Sequence, residues 1–137
     1  MKMNTYLGFG GRCKEAFQFY EKVLGGKITA MLTYGESPMA DKAAAGMKDK
    51  IVHVALETPG GVLMGGDNPQ GTPVKPAGFS MSLTVKDVAE AERIFKGLSE
   101  GGQVQMAMQK TFWSPGFGMC IDKFEVPWMV NTEGPMS

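Results

Sequence analysis

The chain is 137 residues long and 14.8 kDa, room for one compact domain or two small modules, and 43% hydrophobic residues suffice to fill a core. Fourteen basic side chains balance fourteen acidic ones, and no run of Lys or Arg offers a phosphate-tracking surface, which argues against nucleic acid and leaves a small molecule as the default partner. No stretch approaches the ~18 apolar residues of a membrane span. The opening MKMNTYLGFGG lacks the apolar region of a signal peptide, and Cys13 and Cys120 are too few and too far apart for a disulfide framework or a zinc knuckle. The expectation is a cytoplasmic protein with no membrane partner.

Residues 3–9 read as a short apolar strand, broken by Gly8, Gly10 and Gly11 before a helix that starts near Arg12. Ala16, Phe19, Tyr20, Val23 and Leu24 recur at helical spacing and mark the face turned to a core, and Gly25 and Gly26 end the helix. A strand over Lys27 to Tyr34 follows. Residues 35–50 carry little periodic signal and are expected to form a short helix plus loop, or a flap. Ile51 to Glu57 and Val62 to Gly66 form a hairpin turning at Thr58 to Gly61, and the proline-rich residues 68–77 read as a linker.

The same series then recurs. A strand from Gly78 precedes a helix with Asp87 as N-cap and Val88, Ala91, Ile94, Phe95 and Leu98 on one face. Gly101 and Gly102 end that helix, a strand spans Gln103 to Gln109, and Thr111 to Asn131 holds a second hairpin with both tryptophans. Laid over the first hairpin, Met119, Cys120, Ile121 and Asp122 fall on Val54, Ala55, Leu56 and Glu57, and Trp128, Met129 and Val130 fall on Leu63, Met64 and Gly65. Each half therefore reads β, α, β, β, β, the first half carrying an insertion. The predicted fold is α+β: two tandem βαβββ modules, 1–67 and 78–137, form a curved open-sheet trough with the helices outside. Such a concave surface is where ligands preferentially bind.

The segments YLGFGGRCKEAFQFYEKVLGG, DKIVHVAL, VLMGGD, GGQVQM, TFWSPGFG and DKFEVPWMVN together resemble the vicinal-oxygen-chelate superfamily, which takes in glyoxalases, bleomycin-resistance proteins and extradiol dioxygenases, and within it the PhnB-like group. The resemblance covers nearly the whole chain and implies a homodimer. It also implies four strand positions at which metal-using members place His or Glu. Aligned on Phe19 and Tyr20, these fall on Thr5, Met64, Ser80 and Met129. None is a good ligand for a divalent cation that wants imidazole or carboxylate, so no metal and no cofactor is expected. Gly8 to Cys13 lacks the last glycine of a dinucleotide loop and is read as a turn.

His53 is the sole histidine, and on a strand it shares a face with Ala55 and Glu57. His53 and Glu57 are the candidate acid/base pair if the protein is an enzyme; the plainer reading is a strand histidine bonded to a neighbouring loop. Cys13, beside Arg12 at a helix start, sits where thiol pKa values fall, and Cys120 reads as buried structure near the face of Ala55. Trp113 and Phe117 are expected to line the cavity with Trp128 in the core. Two readings result. One is a metal-free binding module lined by Leu7, Met64, Trp113, Phe117 and Met129, with Thr5, Ser80 and His53 as polar anchors, holding a small, partly apolar or aromatic molecule. The other is a lyase or isomerase of glyoxalase type, metal-dependent or using His53 as base.

Overall fold

In chain order the computed structural model runs β1 (Thr5–Phe9), α1 (Cys13–Leu24), β2 (Lys27–Thr33), β3 (Ile51–Thr58), β4 (Gly61–Asp67), β5 (Met81–Val85), α2 (Val88–Ser99), β6 (Gln103–Gln109), β7 (Phe117–Ile121) and β8 (Pro127–Thr132). The structure describes residues 1–134. It is an α+β fold of two repeated βαβββ modules, in two compact units, Met1–Val74 and Lys75–Ser137. Each holds an open four-stranded sheet, of order β1-β4-β3-β2 in the first and β5-β8-β7-β6 in the second. The first strand of each module pairs parallel with its last, and the other pairings are antiparallel. The parallel pair requires a long connection, which the helix and the following strands supply.

One face of each sheet is covered by its helix. Helix α1 ends where Gly25 adopts a left-handed conformation (φ 72°) and returns its N–H to the Glu21 carbonyl. Its buried stripe is Cys13, Ala16, Phe17 and Tyr20. Of the expected face, Ala16 and Tyr20 are fully buried, but Phe17 rather than Phe19 supplies the buried ring, and Val23 and Leu24 are only partly covered. The large ring of Phe17 is admitted because β4 has Gly65 beneath it, where a Cβ would lie 2.6 Å from Phe17 Cε1. Phe17 then meets Phe9 and Tyr20 edge-on at 6.2 and 5.7 Å. Helix α2 is capped as its sequence announces, the Asp87 carboxylate accepting from Glu90 N–H at 2.8 Å, and it buries Ala91, Ile94, Phe95 and Leu98. Gly118 plays the part of Gly65, leaving room for the Phe95 ring.

The two hairpins are not superposable at the offset read from the sequence. Leu7 and Leu83 lie opposite Gly65 and Val130, which in turn lie opposite Val54 and Gly118. Hence Val54 corresponds to Gly118, Ala55 to Met119 and Leu56 to Cys120, one residue away from the expected match. The β7–β8 turn is one residue longer than the β3–β4 turn, with Glu125 in the left-handed region (φ 71°). It is organised by Asp122, whose carboxylate accepts from Phe124 N, Val126 N and Trp128 Nε1. A one-residue slip exchanges the two faces of a strand. Cys120 therefore points to the helix side with Trp128, not to the face of Ala55.

Residues 35–50 form a short 3-10 turn at Ala40–Lys42 within a loop. The loop is fastened to the first unit by Gly35 N–H to the Lys48 carbonyl, by Ala44 N–H to the Pro69 carbonyl and by buried Met47. Asn68 donates from its backbone and side chain to the Phe9 carbonyl and exchanges hydrogen bonds with Thr72, so the start of the proline-rich segment packs on the end of β1.

Candidate functional site

In both modules the sheet face turned away from the helix carries the candidate residues, and the registers decide which side chains reach it. On β1, Leu7 (3% exposed) and Phe9 belong to the core, and Thr5 lies opposite Leu63, also core. Thr5 and Leu7 thus share the helix-facing side and do not line the other face. The residue that does is Tyr6, opposite Met64, which in turn lies opposite Ala55. On β5, Met81, Leu83 and Val85 pair with the buried Trp128, Val130 and Thr132, so Ser82, opposite Met129, faces away from α2. Ser80 lies just before the strand. The β1 register could have been read from the alternation of Leu7 and Phe9 with Tyr6 and Gly8; alignment on the helix instead carried it one residue off.

The helix-distal row of the second module runs Ser82, Met129, Met119, Met106 across the four strands. Three half-buried thioethers on adjacent strands make a soft, adaptable apolar surface. Phe117 belongs to the same face, opposite Asn131, and is nearly covered by Trp113, whose ring meets it edge-on at 5.1 Å. Trp113 is 39% exposed and in turn meets the open Phe112 ring at 4.6 Å. Buried Ser114 holds this connection in place: its hydroxyl has the Gly116 carbonyl at 2.9 Å and the Thr132 carbonyl at 3.2 Å as alternative acceptors for its one proton, and accepts from Gly116 N and Thr132 N. Trp128 is core, its Nε1 donating to Asp122 at 2.8 Å.

In the first module His53 is half-buried on the helix-distal face, its ring nearly parallel to that of Tyr6 at 6.4 Å between centroids. Among the described residues its imidazole has no hydrogen-bond partner, so the neighbouring-loop contact is not formed. Glu57 is exposed four residues along β3, a separation of about 13 Å at strand rise. The two side chains do not form a hydrogen-bonded acid/base pair. Cys13 departs from expectation as well. Its thiol is fully buried, and burial first, then the Asp67 carboxylate, pushes its pKa far up rather than down. Burial likewise raises Cys120.

The structural centre of the first module is a residue that sequence reasoning passed over. Asp67, 4% exposed at the end of β4, accepts from Gly11 N (2.7 Å) and Cys13 N (3.0 Å) through Oδ1 and from Ile51 N (3.0 Å) through Oδ2. Its carboxylate lies against the N-terminus of α1, where a negative charge is favoured, and ties together the helix start and the start of β3. Tyr34 donates to its carbonyl at 2.6 Å.

Taken module by module, the cross-strand pairs on the helix-distal faces are Tyr6 with Met64 and Ser82 with Met129, where the family resemblance points to Thr5, Met64, Ser80 and Met129. Thioethers, a hydroxyl and a phenol whose pKa burial raises further do not suit a divalent cation that prefers imidazole and carboxylate. Among the described residues no three His, Cys, Asp or Glu side chains converge.

A tandem pair of βαβββ modules, each with one helix on one face of an open sheet, defines the class of duplicated-module α+β proteins. The chain belongs to the Glyoxalase/Bleomycin resistance protein/Dioxygenase superfamily, whose model matches residues 2–130. It is 34% identical over 139 residues to Protein YjdN of Escherichia coli K12, covering 96% of this chain and 95% of that one. Among solved structures it is similar to protein PA1353 from Pseudomonas aeruginosa, at 46% identity and a TM-score of 0.88, covering 97% of this chain and 98% of that one. In fold it also resembles a Bacillus cereus PhnB protein titled a putative 3-demethylubiquinone-9 3-methyltransferase, at 24% identity and a TM-score of 0.79, covering 97% of this chain and 100% of that one. No helix among the described residues is long and apolar enough to cross a membrane.

Proposed function

We propose that this is a metal-free small-molecule-binding member of the superfamily, taking a neutral, partly apolar or aromatic ligand on the helix-distal sheet faces. The observation that carries it is the pair of residues each module offers there: Tyr6 with Met64, and Ser82 with Met129, groups suited to contact and single hydrogen bonds rather than to holding a divalent ion. In the second module the methionine row and the Trp113 ring supply polarizable apolar surface with Ser82 as polar anchor; in the first, Met64 supplies apolar surface and His53 and the Tyr6 hydroxyl the polar anchors. The separation of His53 from Glu57 along β3 favours the binding reading over the enzymatic alternative. A cytoplasmic homodimer with module boundaries near 67 and 78 completes the reading; unpaired edges at β2 and β6 of the two sheets give the dimer a physical motive.

Native mass spectrometry of protein purified without chelators or metal-affinity resin tests this. The expected species is a dimer, empty or with an organic adduct. One divalent ion per subunit would overturn the metal-free reading and favour a lyase or isomerase of glyoxalase type.

A further inference from the structure

The helix-distal face of the first module holds a ring pair that its folding does not require. Tyr6 is 54% exposed, and its ring lies nearly parallel to His53, 23° between planes and 6.4 Å between centroids. Gly66 makes this posture possible. A Cβ there would stand 2.5 Å from Tyr6 Oη and 2.7 Å from the Val52 carbonyl, so any side chain on β4 at that point would lift the phenol off the sheet. With glycine in place the phenol lies down across β4 towards β3, its hydroxyl 3.5 Å from the Val52 carbonyl. That is a long hydrogen bond, readily exchanged for a better acceptor.

The pair is not a by-product of the repeat. The second module forms the same sheet with Ser82 in the place of Tyr6 and Phe117 in the place of His53. An exposed tyrosine contributes little to a core, and the His53 imidazole has no hydrogen-bond partner among the described residues. Met64 flanks Tyr6 in the register and Leu32, itself exposed, flanks His53. The result is a surface of two near-parallel rings with apolar margins and two directional polar groups: the Tyr6 hydroxyl, whose pKa burial raises, and an imidazole edge with no hydrogen-bond partner among the described residues. Glu57, the acid farther along β3, lies about 13 Å from His53 at strand rise, so nothing here selects a cation.

We infer that Tyr6 and His53, laid flat by Gly66, form a recognition site for a planar aromatic ring bearing a hydroxyl or carbonyl oxygen. The ring stacks on the pair and the oxygen engages Tyr6 Oη or the imidazole. This rests on the small-molecule reading above and specifies its ligand class.

Because His53 is the sole histidine, its two ring C–H protons are a single resolved reporter in the proton NMR spectrum. The wild-type protein is titrated with 2-naphthol and, separately, with its saturated counterpart trans-2-decalol, each titration followed by NMR and by native mass. The expected result is a saturable upfield shift of the His53 resonances with 2-naphthol and none with decalol. Tyr6→Ala, at an exposed position that does not threaten the fold, should weaken 2-naphthol about tenfold, the scale of one lost ring stack with its burial. Tyr6→Phe should keep the His53 shift while weakening binding. Gly66→Ala should weaken it with Tyr6 still present, provided the far-UV spectrum is native. Binding by mass that leaves His53 unmoved would overturn the inference and leave the small-molecule reading standing. So would equal response to decalol, or no binding of 2-naphthol at all. The broader reading falls only on the separate finding of a stoichiometric divalent ion.

Discussion

Replacing Asp67 by asparagine removes a charge and one acceptor from a site where three backbone N–H groups converge. An amide keeps one oxygen, enough for Gly11 and Cys13, and turns its NH2 towards the Ile51 N–H that the second carboxylate oxygen now receives. Losing a hydrogen bond to a charged group costs about 1.5–3 kcal/mol, and leaving a buried N–H unmet costs about 1–3 kcal/mol. Allowing for partial relaxation, Asp67→Asn should destabilise by about 3 kcal/mol and lower Tm by about 10 °C. Urea unfolding followed by far-UV circular dichroism is the assay, since both tryptophans lie in the second module and report on that half. Asp49→Asn, an exposed acid in the same module, serves as control and should change stability by less than about 0.5 kcal/mol. If Asp67→Asn changes stability no more than this control, Asp67 does not tie α1 to β3 and the account of the first module is wrong.

Trp128→Phe should cost about 2–4 kcal/mol, because it strips one donor from the buried Asp122 carboxylate and leaves a cavity; a urea midpoint unchanged from wild type would contradict the turn-organising role of Asp122. Trp113→Ala should leave the fold intact but abolish the ligand-induced change in tryptophan fluorescence, and an unaltered titration would remove Trp113 from the binding surface. Both thiols have folded pKa values raised, first by burial, so the native state keeps protons that the unfolded chain loses. Their contribution is intact below the unfolded thiol pKa of about 8.5 and is lost as pH rises above it, by at most about 1.4 kcal/mol per pH unit for each thiol. Cys13→Ala should therefore flatten the decline in urea stability between pH 8 and 10; an identical slope in the variant would refute that assignment.

Much of the architecture was legible in one dimension because it rests on local chemistry. The glycine pairs that stop both helices, the Asp87 cap and the alternation in the strands each act over a few residues, and their repetition in order announced two βαβββ modules. The candidate site was legible only as residue types. Of the residues expected at the ligand surface, His53, Met64 and Met129 lie on helix-distal faces, whereas Thr5 and Leu7 turn to the helix side and Ser80 precedes β5. A strand's facing depends on pairing register, and register is set by neighbours distant in the chain. The extra residue in the Asp122 turn is enough to send Cys120 to the helix side, and the pairing of β1 with β4 is enough to present Tyr6 instead of Thr5. Tertiary structure likewise decided Asp67, whose three partners are scattered between residues 11 and 51, and the resting place of Tyr6, which needs Gly66 on one neighbouring strand and Val52 on the next. Sequence determined the modules, since propensity and capping are properties of short segments. Structure decided which side chains meet, since that is a property of strands brought together from far apart.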